Sequence, residues 1–141
     1  MFKKLFEKKN EESTNNKNIL ITALLIHAAK IDDNYTTVEK EIIKKALISL
    51  FGIKLNETEE LLKKAEKKEQ ESNQIIEFTR EIKKNSMKFR LKIIEILWKI
   101  VYSDGSSDSY ESNLIRRVCG LLYISDRDSG MIKLKIKNSM K

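Results

Sequence analysis

The stretch IEILWKIVYSDGSSD, residues 94–108, ends an apolar helical pattern in an acidic turn, and YES at residues 110–112 opens the next pattern. Ile93, Ile96, Leu97, Ile100 and Val101 recur at helical spacing with Phe89, so this segment is predicted to be the central helix of an all-α fold. Trp98 and Tyr102 lie beside that face, one turn apart. Asp108 followed by Glu111 has the spacing of a capping box, which starts a new helix.

The same turn occurs earlier. Val101 to Glu111 reads VYSDGSSDSYE, and Ala29 to Glu39 reads AKIDDNYTTVE. Asp32 and Asp104 are 104 − 32 = 72 positions apart, and so are Glu39 and Glu111 (111 − 39 = 72). Thr36 aligns with Asp108 at that offset, Ile43 with Ile115 and Phe51 with Tyr123. A turn that only joins helices has no need of its carboxylates in one pattern twice. Asp32, Asp33, Glu39, Asp104, Asp108 and Glu111 are therefore the candidate site.

Outward from these turns, every segment reads as helix. Residues 18–31 carry an apolar stripe through Ile19, Ala23, Ile26 and Ala29. Thr36 and Glu39 form the first capping box, and Gly52 is placed to end that helix in the left-handed region. Asn56 is the expected cap of a third helix, whose charged later turns at residues 63–71 are expected to be exposed. Ser72 and Asn73 are the expected caps of a fourth helix, Ser86 of a fifth and Ser125 of a last one. No segment alternates as a strand does. The expectation is a compact bundle of about seven helices with an internal two-fold repeat.

Composition agrees. The chain has 141 residues, 40% hydrophobic and 35% charged, enough for one domain with a true core. It has no proline and four glycines, so little breaks a helix. No apolar run approaches the roughly 18 residues of a membrane span. No signal peptide is read at the N-terminus, and the single Cys119 points to a reducing compartment, so a cytoplasmic protein is expected. Residues 1–9, MFKKLFEKK, form a basic amphipathic segment through Phe2, Leu5 and Phe6. Residues 10–17 read as a polar linker, which divides the chain into an N-terminal segment and linker (1–17) and a helical domain (18–141). The segment 1–9 is the candidate for peripheral contact with an anionic membrane.

The net charge of +7 admits nucleic acid or an anionic surface as partner. Lysine dominates arginine, and Ile and Asn are abundant, which matches codon bias as well as a binding stripe. Nucleic acid is therefore disfavoured.

The carboxylates admit specific chemistry. Calcium takes six to eight oxygen ligands in loose geometry, which carboxylates converging at helix junctions supply. Asp104, Ser106 and Asp108 have the first spacings of an EF-hand loop, but Ser109 stands where that loop needs Gly and Ile115 where it needs Glu. Capping accounts for Thr36, Asp108, Glu39 and Glu111, and less well for Asp32, Asp33 and Asp104. His27 on an apolar helix reads as a core or boundary residue. Cys119 beside Val118, Leu121 and Leu122 reads as a small buried hydrophobe. No phosphate loop, zinc spacing or catalytic triad motif is present, so no enzyme is expected and no cofactor beyond calcium or another divalent cation.

Residues 75–80 (IIEFTR), 94–108 and 110–128 (YESNLIRRVCGLLYISDRD) resemble the TerB-like family in its stand-alone form. That family is named for the tellurite-resistance protein TerB, and its domain also occurs near the N-terminus of the co-chaperone DjlA. The resemblance spans about residues 18–137. The first turn departs from the family pattern, with Asp33 where Gly is usual and Thr36 where Asp is frequent. The resemblance implies a helical bundle with internal two-fold similarity, an acidic surface suited to metal, and a non-enzymatic interaction or metal-responsive role in tellurite or stress response toward a protein partner not yet identified. No J-domain is read in this sequence, so the chaperone role of DjlA is not expected to carry over.

Overall fold

Thr36 shows how local sequence sets the frame. Its backbone is extended (φ −86°, ψ 163°), and its hydroxyl accepts from the Glu39 amide while the Glu39 carboxylate accepts from the Thr36 amide. Both halves of the capping box are made, and a helix starts at Thr37. At its far end Gly52 adopts φ 65°, and its N–H closes on the Ile48 carbonyl. A Cβ added at Gly52 would meet nothing within 4 Å, so Gly52→Ala isolates the left-handed backbone. We expect it to cost about 1 kcal/mol in urea unfolding. A cost near zero would mean that the cap is not held in that conformation.

The computed structural model describes residues 2–31, 35–72, 74–104 and 109–139; side chains are described from residue 15 onward, apart from 104 and 109–111. Among these residues the elements are α1 (Phe2–Lys30), α2 (Thr37–Phe51), α3 (Leu55–Glu71), α4 (Ile76–Lys83), α5 (Met87–Val101), a 3₁₀ turn (Tyr102–Asp104), α6 (Ser109–Leu121) and α7 (Asp126–Ser139). The fold is all-α, with seven helices and no strand among the described residues.

The 72-residue offset extends to helix starts: α2 begins at Thr37 and α6 at Ser109 (109 − 37 = 72). In one half α1, α2 and α3 pack mutually, and in the other α5, α6 and α7 do the same. The halves meet through α1 against α5 and α2 against α5, with α4 packed on α1, α5 and α6. The repeat slips by one residue at its second helix: the left-handed residue is Gly52 in one half and Tyr123 (φ 58°) in the other (123 − 52 = 71).

The core follows the predicted stripes. Ile93, Leu97 and Ile100 of α5 are buried in one cluster with Leu24 and Leu25 of α1 and Ile43 and Leu47 of α2, and α5 packs on both of those helices. Phe78 and Ile82 anchor α4, and Ile115 and Val118 anchor α6. Ser86 caps α5 by accepting from the Phe89 amide at 3.2 Å, and Ser125 accepts from the Asp128 amide at 3.1 Å at the start of α7.

Four expectations are corrected. The linker over residues 10–17 is helical, continuous with α1. No proline or glycine interrupts it, and polar residues need not leave a helix. Asn56 does not cap α3. Lys54 is the cap residue, without a side-chain bond, because the Glu57 amide already closes on the Lys54 carbonyl at 2.9 Å. Ser72 does not cap α4 either; its hydroxyl donates to Glu77, and α4 starts from Ile75, whose carbonyl accepts from Phe78 and Thr79. The expected Asn73 cap lies outside the described residues. Nor are the later turns of α3 wholly exposed, since Ala65 is buried and the Glu69 side chain is only 11% exposed.

Candidate functional site

The first acidic turn leaves α1 after Lys30 and enters α2 at Thr37. Both edges of it are held by the last turns of α3. Before the turn, Lys30 Nζ donates to Glu69 Oε2 at 3.0 Å, and His27 Nδ1 lies 3.2 Å from Glu69 Oε1. After it, the Tyr35 hydroxyl donates to Glu66 Oε1 at 3.1 Å. Lys40 Nζ sits 4.8 Å above the Tyr35 ring. His27 is thus a boundary residue, as expected, with a carboxylate partner.

Glu66 and Glu69 were missed in the sequence. They stand four and seven positions beyond buried Leu62, on the margin of the α3 stripe, which is a readable signal. Their partners, however, come from segments more than 30 residues away.

Burial, and then the Glu66 carboxylate, push the Tyr35 phenol well above its ordinary value near 10. In the unfolded chain the phenol loses its proton near pH 10, while the fold holds it to higher pH. The folded state therefore binds more protons in that window, and this contribution to stability is lost as pH rises above about 10. Tyr35→Phe should cost about 1 kcal/mol at pH 7 through the lost hydrogen bond. The gap between the two proteins should narrow above pH 10 in denaturant titrations. An unchanged gap would contradict this role.

Of the candidate ligands, Glu39 is the one with a described side chain. It is 7% exposed, and its Oε1 accepts from the Thr36 amide at 3.0 Å and the Thr36 hydroxyl at 2.9 Å. A cation drawing on that oxygen would compete with the cap. Asp32, Asp33 and Asp108 lie outside the described residues, as do the side chains of Asp104 and Glu111. The described residues alone bring no three His, Cys, Asp or Glu side chains together as a metal group.

The approach to the second turn is described up to its backbone. Tyr102 stacks on Trp98 with ring centroids 5.9 Å apart and planes at 24°. Ser103, in the 3₁₀ turn that carries Asp104, donates through Oγ to the Ile100 carbonyl at 2.7 Å. Trp98 in turn donates through Nε1 to Ser129 Oγ of α7 at 3.2 Å. Arg116 and Arg117 are exposed. Cys119 is buried, and burial pushes its thiol up, away from nucleophilic use.

An all-helical protein built from two similar three-helix units, each with an acidic turn between its first two helices, is the class defined by this arrangement. The family model described as tellurite resistance protein TerB matches residues 18–134, and the chain belongs to that family. Comparison with curated proteins and with solved structures found no match. Among the described residues no helix is long and apolar enough to cross a membrane.

Proposed function

We propose that this TerB-family domain is a non-enzymatic, cytoplasmic interaction module, responsive to a divalent cation, that acts in tellurite or stress response. Its site is the pair of acidic turns: Asp32, Asp33 and Glu39 in one, Asp104, Asp108 and Glu111 in the other. Their carboxylates repel one another, and calcium, another divalent cation, or the lysines and arginines of a partner protein relieve that repulsion.

The observation that carries this reading is the recurrence of the acidic turn at one point of two three-helix units whose second helices start 72 residues apart. A second feature supports it. α1 packs on α5, and Lys17 Nζ donates to Asn85 Oδ1 at 3.0 Å, which sets residue 17 beside the start of α5. From that shared point each helix continues toward its own acidic turn, α1 to Lys30 and α5 to Val101. Calcium and magnesium titrations followed by amide chemical shifts test the site. Concerted shifts at residues 31–39 and 103–111 are expected, and shifts confined to neither turn would end the proposal.

The alternative is a basic helical protein on nucleic acid or an anionic membrane, and it rests on the net charge of +7 and the segment 1–9. Co-sedimentation with phosphatidylserine vesicles, comparing the full chain with one lacking residues 1–9, separates it. Equal binding removes the membrane role of that segment.

A further inference from the structure

A lysine-rimmed groove runs between α2 and α5, a surface that the acidic turns do not use. It consists of two adjoining hollows of about 180 and 330 Å³ that share Ser49 and Lys92. Ile42, Ala46 and Ile96 form the floor of the first, and Leu50 and Phe89 are the apolar part of the second. Ala46 and Ile96 belong to the core, so this floor is rigid rather than a loose surface patch. Lys45, Lys88, Lys92 and Lys99 stand around it, and no carboxylate lines either hollow among the described residues.

The charge is weakly compensated. Glu95 reaches Lys99 at 3.7 Å, across one helical turn. Glu41, the carboxylate of α2 nearest in sequence, is engaged with Lys44, which also bonds Glu59 of α3. In a chain whose lysines otherwise look evenly spread, four line this one groove, three at the first hollow and two at the second, with Lys92 shared.

We propose that this groove docks an acidic amphipathic helix of a partner protein. This rests on the reading of the domain as an interaction module, but not on the cation site. The lining residues along α5 run from its cap Ser86 to Lys99, about 20 Å at 1.5 Å per residue, which matches a partner helix of about 13 residues. The apolar stripe of that helix covers Ile42, Ala46 and Ile96, and its Glu and Asp flanks meet the lysines, the groove-binding mode of amphipathic helices. A nucleic-acid backbone would satisfy the lysines but leave the apolar floor without a partner. No arginine lines the groove, and its one aromatic ring, Phe89, is partly buried, which is a poor surface for reading bases. A flat lipid surface calls for protruding apolar side chains, whereas these are recessed.

The test uses the full chain and a fluorescent helix-forming peptide of about 14 residues, with leucines on one face and glutamates beside them. Two controls replace its glutamates with lysines or its leucines with serines. Fluorescence anisotropy should show binding of the first peptide alone, weakening as salt rises. Amide shifts should centre on Ala46, Ser49, Lys92 and Ile96. The double variant Lys45→Glu/Lys92→Glu should weaken binding at least tenfold, while Lys67→Glu on α3 should stay within about twofold; circular dichroism confirms that both fold. Binding of the serine control as tight as that of the leucine peptide overturns the groove. So does an amide-shift map away from α2 and α5, or an unaffected double variant. Duplex DNA or phosphatidylserine vesicles that bind tighter than the peptide and lose binding in the same variant would reassign the groove to that partner. Asp104→Asn leaves peptide binding intact if the groove is correct, so failure of the cation site is read separately.

Discussion

Leu97→Ala is expected to lower the free energy of unfolding by about 2–5 kcal/mol. Leu97 is fully buried at the middle of α5, the helix through which the two three-helix units meet. The surrounding side chains come from elements packed on several sides, so the site has little room to collapse into the void. The upper part of the range is therefore expected, as a drop in Tm of roughly 10 °C. A cost below about 1 kcal/mol in urea unfolding would show that α5 is not the centre of the core.

Trp98→Ala should cost a similar amount, about 3–5 kcal/mol, for more than one reason. The indole is 5% exposed, stacks on Tyr102, donates to Ser129 and lies under Lys133 Nζ at 5.0 Å. Its loss opens a cavity between α5 and α7 and leaves the buried Ser129 hydroxyl without its donor. Trp98→Phe keeps most of the volume and should cost less, the loss of the hydrogen bond contributing about 1 kcal/mol. Because Tyr102 opens the 3₁₀ turn that carries Asp104, the alanine variant should also shift amides at residues 102–104 and 129–133. Shifts confined to the immediate neighbours of residue 98 would mean that Trp98 does not position the second turn.

What the sequence disclosed was mostly local. The Thr36–Glu39 box, the Gly52 cap and the Ser86 cap are each closed within four residues, so their signals are complete in the string itself. The α5 stripe was equally plain, because a 3.6-residue period over 15 residues admits one buried face. The start of α3 misled because Asn56 is a good cap by type, while the backbone bond from Glu57 to Lys54 closes the first turn earlier. Residues 10–17 misled because polarity signals exposure, not the absence of a helix. The bracing of the first turn by Glu66 and Glu69 was hidden, since it depends on α3 lying along the end of α1. The lysine groove was hidden for the same reason: Lys45 and Lys92 are strangers in sequence and neighbours across the α2–α5 junction. Of the six candidate carboxylates, Asp32 with Asp104 and Glu39 with Glu111 were legible as a repeated pattern, and Asp33 and Asp108 as their neighbours in the two turns; five of the six side chains lie outside the described residues.

The most direct measurement of the acidic turns as a cation site is thermal unfolding of wild type, Asp104→Asn and Asp108→Ala with and without calcium. A cation held by the folded state alone stabilises it by mass action, about 1.4 kcal/mol at ten times its dissociation constant. The wild type should melt higher in millimolar calcium. Asp104→Asn should lose that rise with its stability in the absence of calcium unchanged or improved, because it removes repulsion. Asp108→Ala should lose the rise and also about 1 kcal/mol of helix capping. No rise for the wild type in calcium or magnesium, with Asp104→Asn and wild type melting alike in both conditions, would contradict the cation site and leave capping as the whole role of these turns.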